Sequence, residues 1–220
     1  MLESEYQPRR RLPRQPLPPT QPEPGFAFEI RRAGPEDIPD IREIYNHYVT
    51  NSVVTFDEKP MTIRAWKTKF AFLRKLGHPM LVAVSPSEQV LGYALVQPWR
   101  PRSGYRFTVE NAIYLRPAST GKGLGSALLD ALISASEEAG LKTIIAVISD
   151  SGAEASLALH ERAGFVEVGR MGGVGYKFNR SLGTVTLQKT LKPNRPRKSP
   201  ASETKKRRTL SWRRSKPSDA

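Results

Sequence analysis

Gly121-Lys-Gly-Leu-Gly125 places three glycines and a lysine within five residues, directly after an apolar stretch that ends at Leu115. A helical pattern opens at Gly123. The opening turn of a helix carries several amides without partners and about half a positive charge, so it attracts anions. Glycines let the backbone come close to a pyrophosphate, and Lys122 adds a cation. Spacing narrows the choice of ligand. A nucleotide P-loop needs Gly-Lys followed by Ser or Thr, whereas Lys122 is followed by Gly123. The dinucleotide fingerprint needs a third glycine three residues after Gly123, where Ser126 stands. What is left is a phosphate site of another kind, or a tight turn with a helix cap.

The surrounding elements supply a frame for that loop. Phe26–Ile30 reads as a strand, and Gly34-Pro-Glu-Asp37 as a turn into a helix with proline and acids in its first turn. Ile38, Ile41, Ile44, Tyr45 and Tyr48 then recur at helical spacing. Thr62–Leu76 predicts a second helix, with Ile63, Trp66, Phe70 and Leu73 inward and Gly77 at its end. Leu81–Val84 and Val90–Val96 form a hairpin, and Phe107–Leu115 is a further strand. Helix 123–139, the continuously apolar strand Thr143–Ile148 and helix 154–163 follow, the strand composition matching burial on both faces. Two strands, near Phe165–Arg170 and Leu182–Leu187, close a β-α-α-β-β-β-α-β-α-β-β order.

Composition divides the chain around this frame. Seven prolines among residues 1–25 predict an extended, solvated leader. Residues 192–220 hold eleven Lys/Arg against Glu203 and Asp219, most of the chain's net charge of +14. We therefore expect a basic, disordered tail behind a domain at 26–191. Lys205-Lys-Arg-Arg208 reads as a nuclear address, as a nucleic-acid contact or as a solvated run, and Trp212 alone makes no base-stacking platform. The solvated reading is favoured. No cysteine is present, which excludes a disulfide framework and a cysteine-bound acetyl intermediate. No apolar run approaches the roughly 20 residues that span a bilayer, and the N-terminus lacks a signal core. The expected location is intracellular, without membrane contact. His47, His78 and His160 have no metal-ligand spacing, so no metal is expected.

The glycine loop and the element order resemble the GCN5-related N-acetyltransferase (GNAT) superfamily. Further segments resemble its phosphinothricin/methionine sulfoximine acetyltransferase-like branch: Ile44-Tyr-Asn-His-Tyr48, Pro98-Trp-Arg100, Thr108-Val-Glu-Asn-Ala-Ile-Tyr114, Leu159-His160 with Ala163-Gly-Phe165, and Val174-Gly-Tyr-Lys-Phe178. The resemblance covers about 26–191. It implies an α/β (α+β) fold, a mixed, mostly antiparallel twisted sheet of about seven strands flanked by about four helices. It implies acetyl-CoA as co-substrate, a small-molecule amine as acceptor, and often a homodimer. The loop Gly121, Lys122, Gly123, Leu124, Gly125 and Ser126 would hold the coenzyme pyrophosphate. The backbone around Ile113, Tyr114 and Leu115 would hold the pantetheine arm and supply an oxyanion donor. Thr120, Ala153, Ser181 and Gly183 depart from the family pattern.

Acetyl transfer needs a neutral amine, hence a base, and a proton for the leaving thiolate. The resemblance makes Glu110 the general base, through a water. His160 can donate or accept a proton near neutral pH and serve either end of the reaction, or it is a helix histidine bonded to a carbonyl. Arg100 and Arg106 have the planar fork that grips an acceptor carboxylate, and Phe56 and Lys177 are expected in the same pocket. Three functions are consistent with these residues: an amino-acid N-acetyltransferase, a peptide or protein N-acetyltransferase, and a non-catalytic acyl-CoA-binding protein of the same fold. The first fits the motifs best.

Overall fold

The computed structural model describes residues 26–192. The leader and almost all of the basic tail, with the Lys205–Arg208 cluster, lie outside the described residues. Seven strands form one sheet in the order β1-β2-β3-β4-β5-β7-β6. They are β1 (Glu29–Arg32), β2 (Met80–Val84), β3 (Val90–Pro98), β4 (Thr108–Leu115), β5 (Thr143–Ser149), β6 (Val166–Lys177) and β7 (Arg180–Thr190). All neighbours are antiparallel except β4 and β5. The helices are α1 (Ile38–Asn51), α2 (Ile63–Lys75), α3 (Leu124–Glu138) and α4 (Glu154–Arg162). The expected element order holds throughout.

Two apolar layers sandwich the sheet, and the period of two along each strand decides which residue joins which layer. Leu81, Ala83 and Val109 face α3 with Leu124, Leu128 and Leu132. Met80, Val82, Val84 and Tyr93 face α1 and α2 with Ile41, Ile44, Trp66 and Leu73. The same alternation runs along β4: Val109, Ile113 and Leu115 belong to the α3/α4 side, Ala112 and Tyr114 to the α1/α2 side. Glu110 therefore points toward α1/α2 and Asn111 toward α3/α4.

Local chemistry fixes the helix ends near the site. Thr62 caps α2, its hydroxyl accepting from the Ala65 amide at 3.1 Å. Arg116, just past β4, donates to Asp40 (2.6 Å) and Glu43 (2.7 Å) on α1 and to the Val90 carbonyl (2.7 Å). That fork ties the end of β4 to α1 and β3 immediately before the glycine loop. β6 is longer than the expected strand near 165–170. Gly172, Gly173 and Gly175 weaken its sequence signal, yet the strand runs on through an irregular register to a tight turn at Phe178 and Asn179, both in the left-handed region.

Candidate active site

β4 and β5 pair only over Thr108–Glu110 and Thr143–Ile145. Beyond Glu110 the two strands part, although β4 continues to Leu115 and β5 to Ser149. The edge of β4 that faces β5 is thus free of sheet partners over Asn111–Leu115. A cleft of about 540 Å³ opens at the split and runs to the glycine loop. Glu110, Ile113, Tyr114, Leu115, Gly121, Gly123, Gly125, Ser126 and His160 all line it, so nine expected site residues meet in one place.

At the far end of the cleft, Gly121 and Gly123 take φ of +73° and +79°, with open space where a Cβ would stand. Side chains rarely adopt this backbone, which is why glycine recurs here. No side chain caps α3. Its first internal bond runs from the Ala127 amide to the Gly123 carbonyl, so the preceding amides are available to an anion. Two residues of the loop differ from expectation in where their side chains go. Leu124 is fully buried in the core, and the Lys122 ammonium lies over the Phe26 ring at 4.7 Å. Neither lines the cleft, because the helix start turns one side chain inward and the other toward Phe26, ahead of β1.

Glu110 marks the near end. Its cross-strand partner is Gln97. Burial pushes the carboxyl pKa up, and Lys69, Gln97 and Arg100 pull it partly back. Gln97 and Lys69 also line a second cavity, a groove of about 1090 Å³ between α2 and the β3–β4 connection. Arg100 and Arg106 are in its wall, with Trp99 and Tyr105. Arg100 lies over Trp99 and Arg106 over Phe107, each at 4.6 Å. Neither guanidinium pairs with a carboxylate among the described residues, and no Asp or Glu lines the groove.

His160 is on the opposite face of the sheet from Glu110 and is only 2 % exposed. Its Nδ1 lies 2.8 Å from the Ser156 carbonyl, which can only accept, so Nδ1 carries the proton. Nε2 then accepts from Asn111 Nδ2 at 2.8 Å. Burial lowers the imidazole pKa, and the ring packs edge-on to Phe165. Both nitrogens are occupied, so the direct proton exchange expected of this ring has no free nitrogen to use. The carbonyl-bonded helix histidine is the arrangement found.

Phe56 and Lys177 line neither cavity, against expectation. Lys177, 1 % exposed, donates to the Thr55 carbonyl at 2.8 Å. Phe56 packs on Gly175, where an added Cβ would sit 2.4 Å from its ring. Together they fasten the segment after α1 to the end of β6. Their distance in sequence, with no shared period, hid this role. Tyr45 from α1 bonds Thr55 and Asp57 of the same segment, and burial raises its pKa. Tyr48 donates to the Leu115 carbonyl at 2.7 Å. Burial also raises Tyr114, to about 12.

The departures from the family pattern have local explanations in two cases. Gly183 donates its amide to Asp150 at 2.9 Å, and an added Cβ would meet that carboxylate at 2.3 Å. Thr120 turns its hydroxyl onto the Pro117 carbonyl at 2.8 Å. Asn111, Lys69 and Gln97 were not singled out by the sequence. Only the strand alternation next to Glu110 could have flagged Asn111.

The split strand pair, the uncapped glycine-rich helix start and the half-buried carboxylate define an acyltransferase of the GNAT type. Residues 40–165 match the model of the acetyltransferase (GNAT) family. The chain is 42 % identical over 170 residues to an L-methionine sulfoximine/L-methionine sulfone acetyltransferase of Pseudomonas aeruginosa, covering 77 % of this chain and 98 % of that one. It is 39 % identical to a phosphinothricin N-acetyltransferase of Alcaligenes faecalis, over 75 % and 83 % of the two chains. A GNAT superfamily phosphinothricin acetyltransferase from Sinorhizobium meliloti, solved in complex with acetyl-CoA, superposes with a TM-score of 0.72 at 37 % identity, covering 77 % and 94 %. The chain belongs to the acetyltransferase (GNAT) family and is an acetyl-CoA-dependent N-acetyltransferase. The residues fit that co-substrate: an uncapped glycine-rich helix start can take a diphosphate, and a strand edge free of sheet partners can pair with an amide-bearing arm. Among the described residues no helix is long and apolar enough to cross a membrane, and no group of three or more His, Asp or Glu could hold a metal ion.

Proposed function

We propose that the acceptor is the primary amine of a small amino acid of the methionine sulfoximine or phosphinothricin type. The observation that carries this reading is the position of Glu110. It lies where the cleft ends and, through Gln97, touches a groove whose free guanidinium groups suit a carboxylate. Bound acetyl-CoA supplies an acyl group activated as a thioester.

The protein's own residues then have separate tasks. The amides of Gly121–Ser126 hold the diphosphate at the start of α3, Leu124 contributing backbone only. The free edge of β4 at Ile113–Leu115 aligns the arm, and one of its amides donates to the acyl oxygen. Glu110, ionised, takes a proton from the acceptor ammonium, directly or through one water. The freed amine attacks the thioester carbon, and as the C–S bond breaks the departing thiolate takes up the proton that the new amide nitrogen sheds. Arg100 and Arg106 hold the acceptor carboxylate. Thiol release from acetyl-CoA tests the reading. L-Methionine sulfone should be turned over, and its decarboxylated amine should be a poor acceptor. Arg106→Ala should raise KM for the acid and leave KM for the amine unchanged. Equal loss with both acceptors would remove the carboxylate contact, and no turnover of any amino acid would end the substrate assignment.

We further propose that two copies associate through β6. Val166, Val168, Met171, Val174 and Tyr176 of this edge strand are all more than half exposed. Natural edge strands rarely leave such a row uncovered.

A further inference from the structure

The Asn111–His160 pair contains an unexplained atom. Asn111 is 7 % exposed and is part of the cleft wall, yet its Oδ1 has neither a protein donor nor contact with solvent. A buried acceptor left unpaired forfeits its hydration without replacement, and native structures keep few of them. The amide cannot simply be turned over to cure this. The Ser156 carbonyl holds the imidazole proton on Nδ1, so Nε2 needs a donor, and only Asn111 Nδ2 supplies one. His160 thus dictates which end of the carboxamide faces it and leaves Oδ1 turned elsewhere. Asn111 is also the first residue of β4 past the last paired position, on the same face as Ile113 and Leu115.

We propose that the Asn111 carboxamide meets the acyl donor from the α3/α4 side. Oδ1 accepts a hydrogen bond from an amide N–H of the pantetheine arm, and His160 is the positioning residue that aims it. The inference rests on the acetyl-CoA reading of the cleft. It assigns the imidazole an indirect role, since both ring nitrogens are used inside the protein. Glu110, on the other face of β4, handles the acceptor's proton and owes nothing to this pair.

The test needs no acceptor. Titration calorimetry with coenzyme A alone should show Asn111→Ala weakening affinity about five- to tenfold, the effect of one lost buried hydrogen bond. His160→Ala should weaken it equally, and the double variant no further, because the two act as a unit. His160→Gln, which restores an acceptor for Nδ2, should recover most of the affinity and of kcat. Nitrogen NMR of the ligand-free protein should show His160 as the neutral Nδ1–H form, in Asn111→Ala too. Should His160→Ala not fold, Asn111→Ala and His160→Gln decide alone. Unchanged coenzyme affinity in Asn111→Ala, with kcat lost in His160→Gln, would overturn the proposal in favour of the imidazole itself. Wild-type protein that binds no coenzyme A would instead sink the reading of the cleft.

Discussion

A carboxyl group that must ionise to accept a proton works against its burial. Glu110 is held in this tension: desolvation raises its pKa, while Lys69, Gln97 and Arg100 keep the ionised form within reach. As a base, its activity should rise with pH through that raised value and flatten above it. Glu110→Gln should cut kcat by about 10²- to 10⁴-fold and abolish this acidic limb. A profile that keeps its acidic limb would reassign the base. The linkage has the opposite sign for stability. A carboxyl whose folded pKa is raised favours the fold while protonated, and stability is lost as pH rises through the folded pKa. Glu110→Gln should therefore leave the melting temperature at pH 7 unchanged or higher, measured by calorimetry. Lower activity with an intact melt would separate function from folding at this residue.

Strands and helices bring these groups together only because of how each one ends. β4 stops pairing with β5 at Glu110, and Arg116 anchors the end of β4 to α1 and β3 before the glycine loop begins. The segment between α1 and α2 is fastened by contacts that cross more than a hundred residues, Lys177 to Thr55 and Gly175 to Phe56. Gly175→Ala should destabilise the protein by about 1–3 kcal/mol through overpacking against the Phe56 ring. In a Phe56→Ala background the same change should cost little. Denaturant unfolding of the four proteins measures the coupling, and purely additive effects would show that this contact does not clamp the segment.

Beyond the single chain, the exposed row on β6 predicts the state of assembly. A two-fold pair using this edge on both copies would bury it, as symmetric interfaces do. Sedimentation at tens of micromolar should find a dimer, and Val168→Lys should shift it to monomer without loss of secondary structure. A monomeric wild-type protein would mean that the edge serves another purpose. The basic tail belongs to a separate question, since most of the chain's net charge is concentrated there.

Periodicity and turn chemistry are local properties, and they were enough to read the order of elements, the helix starts and the glycine loop. The loop was legible for that reason, whereas Glu110 was picked out only by the family resemblance of the segment Thr108–Tyr114. β6 was underestimated because its glycines mimic a break, whereas β7 supplies the pairing that local propensity lacks. Residue type also put Arg100, Arg106, Phe56 and Lys177 into one expected pocket, which the fold divided between a groove and a clamp. His160 could be read as a residue able to move protons or as a helix histidine bonded to a carbonyl, with nothing local to choose between them. Its tautomer is set within α4 by the Ser156 carbonyl, but its bond to Asn111 and its place across the sheet from Glu110 follow from packing α4 onto β4, a contact between groups 49 residues apart. Local pattern specifies which way a side chain faces on its own element. What stands opposite it is decided by burial of the two sheet faces, and that requires the whole chain.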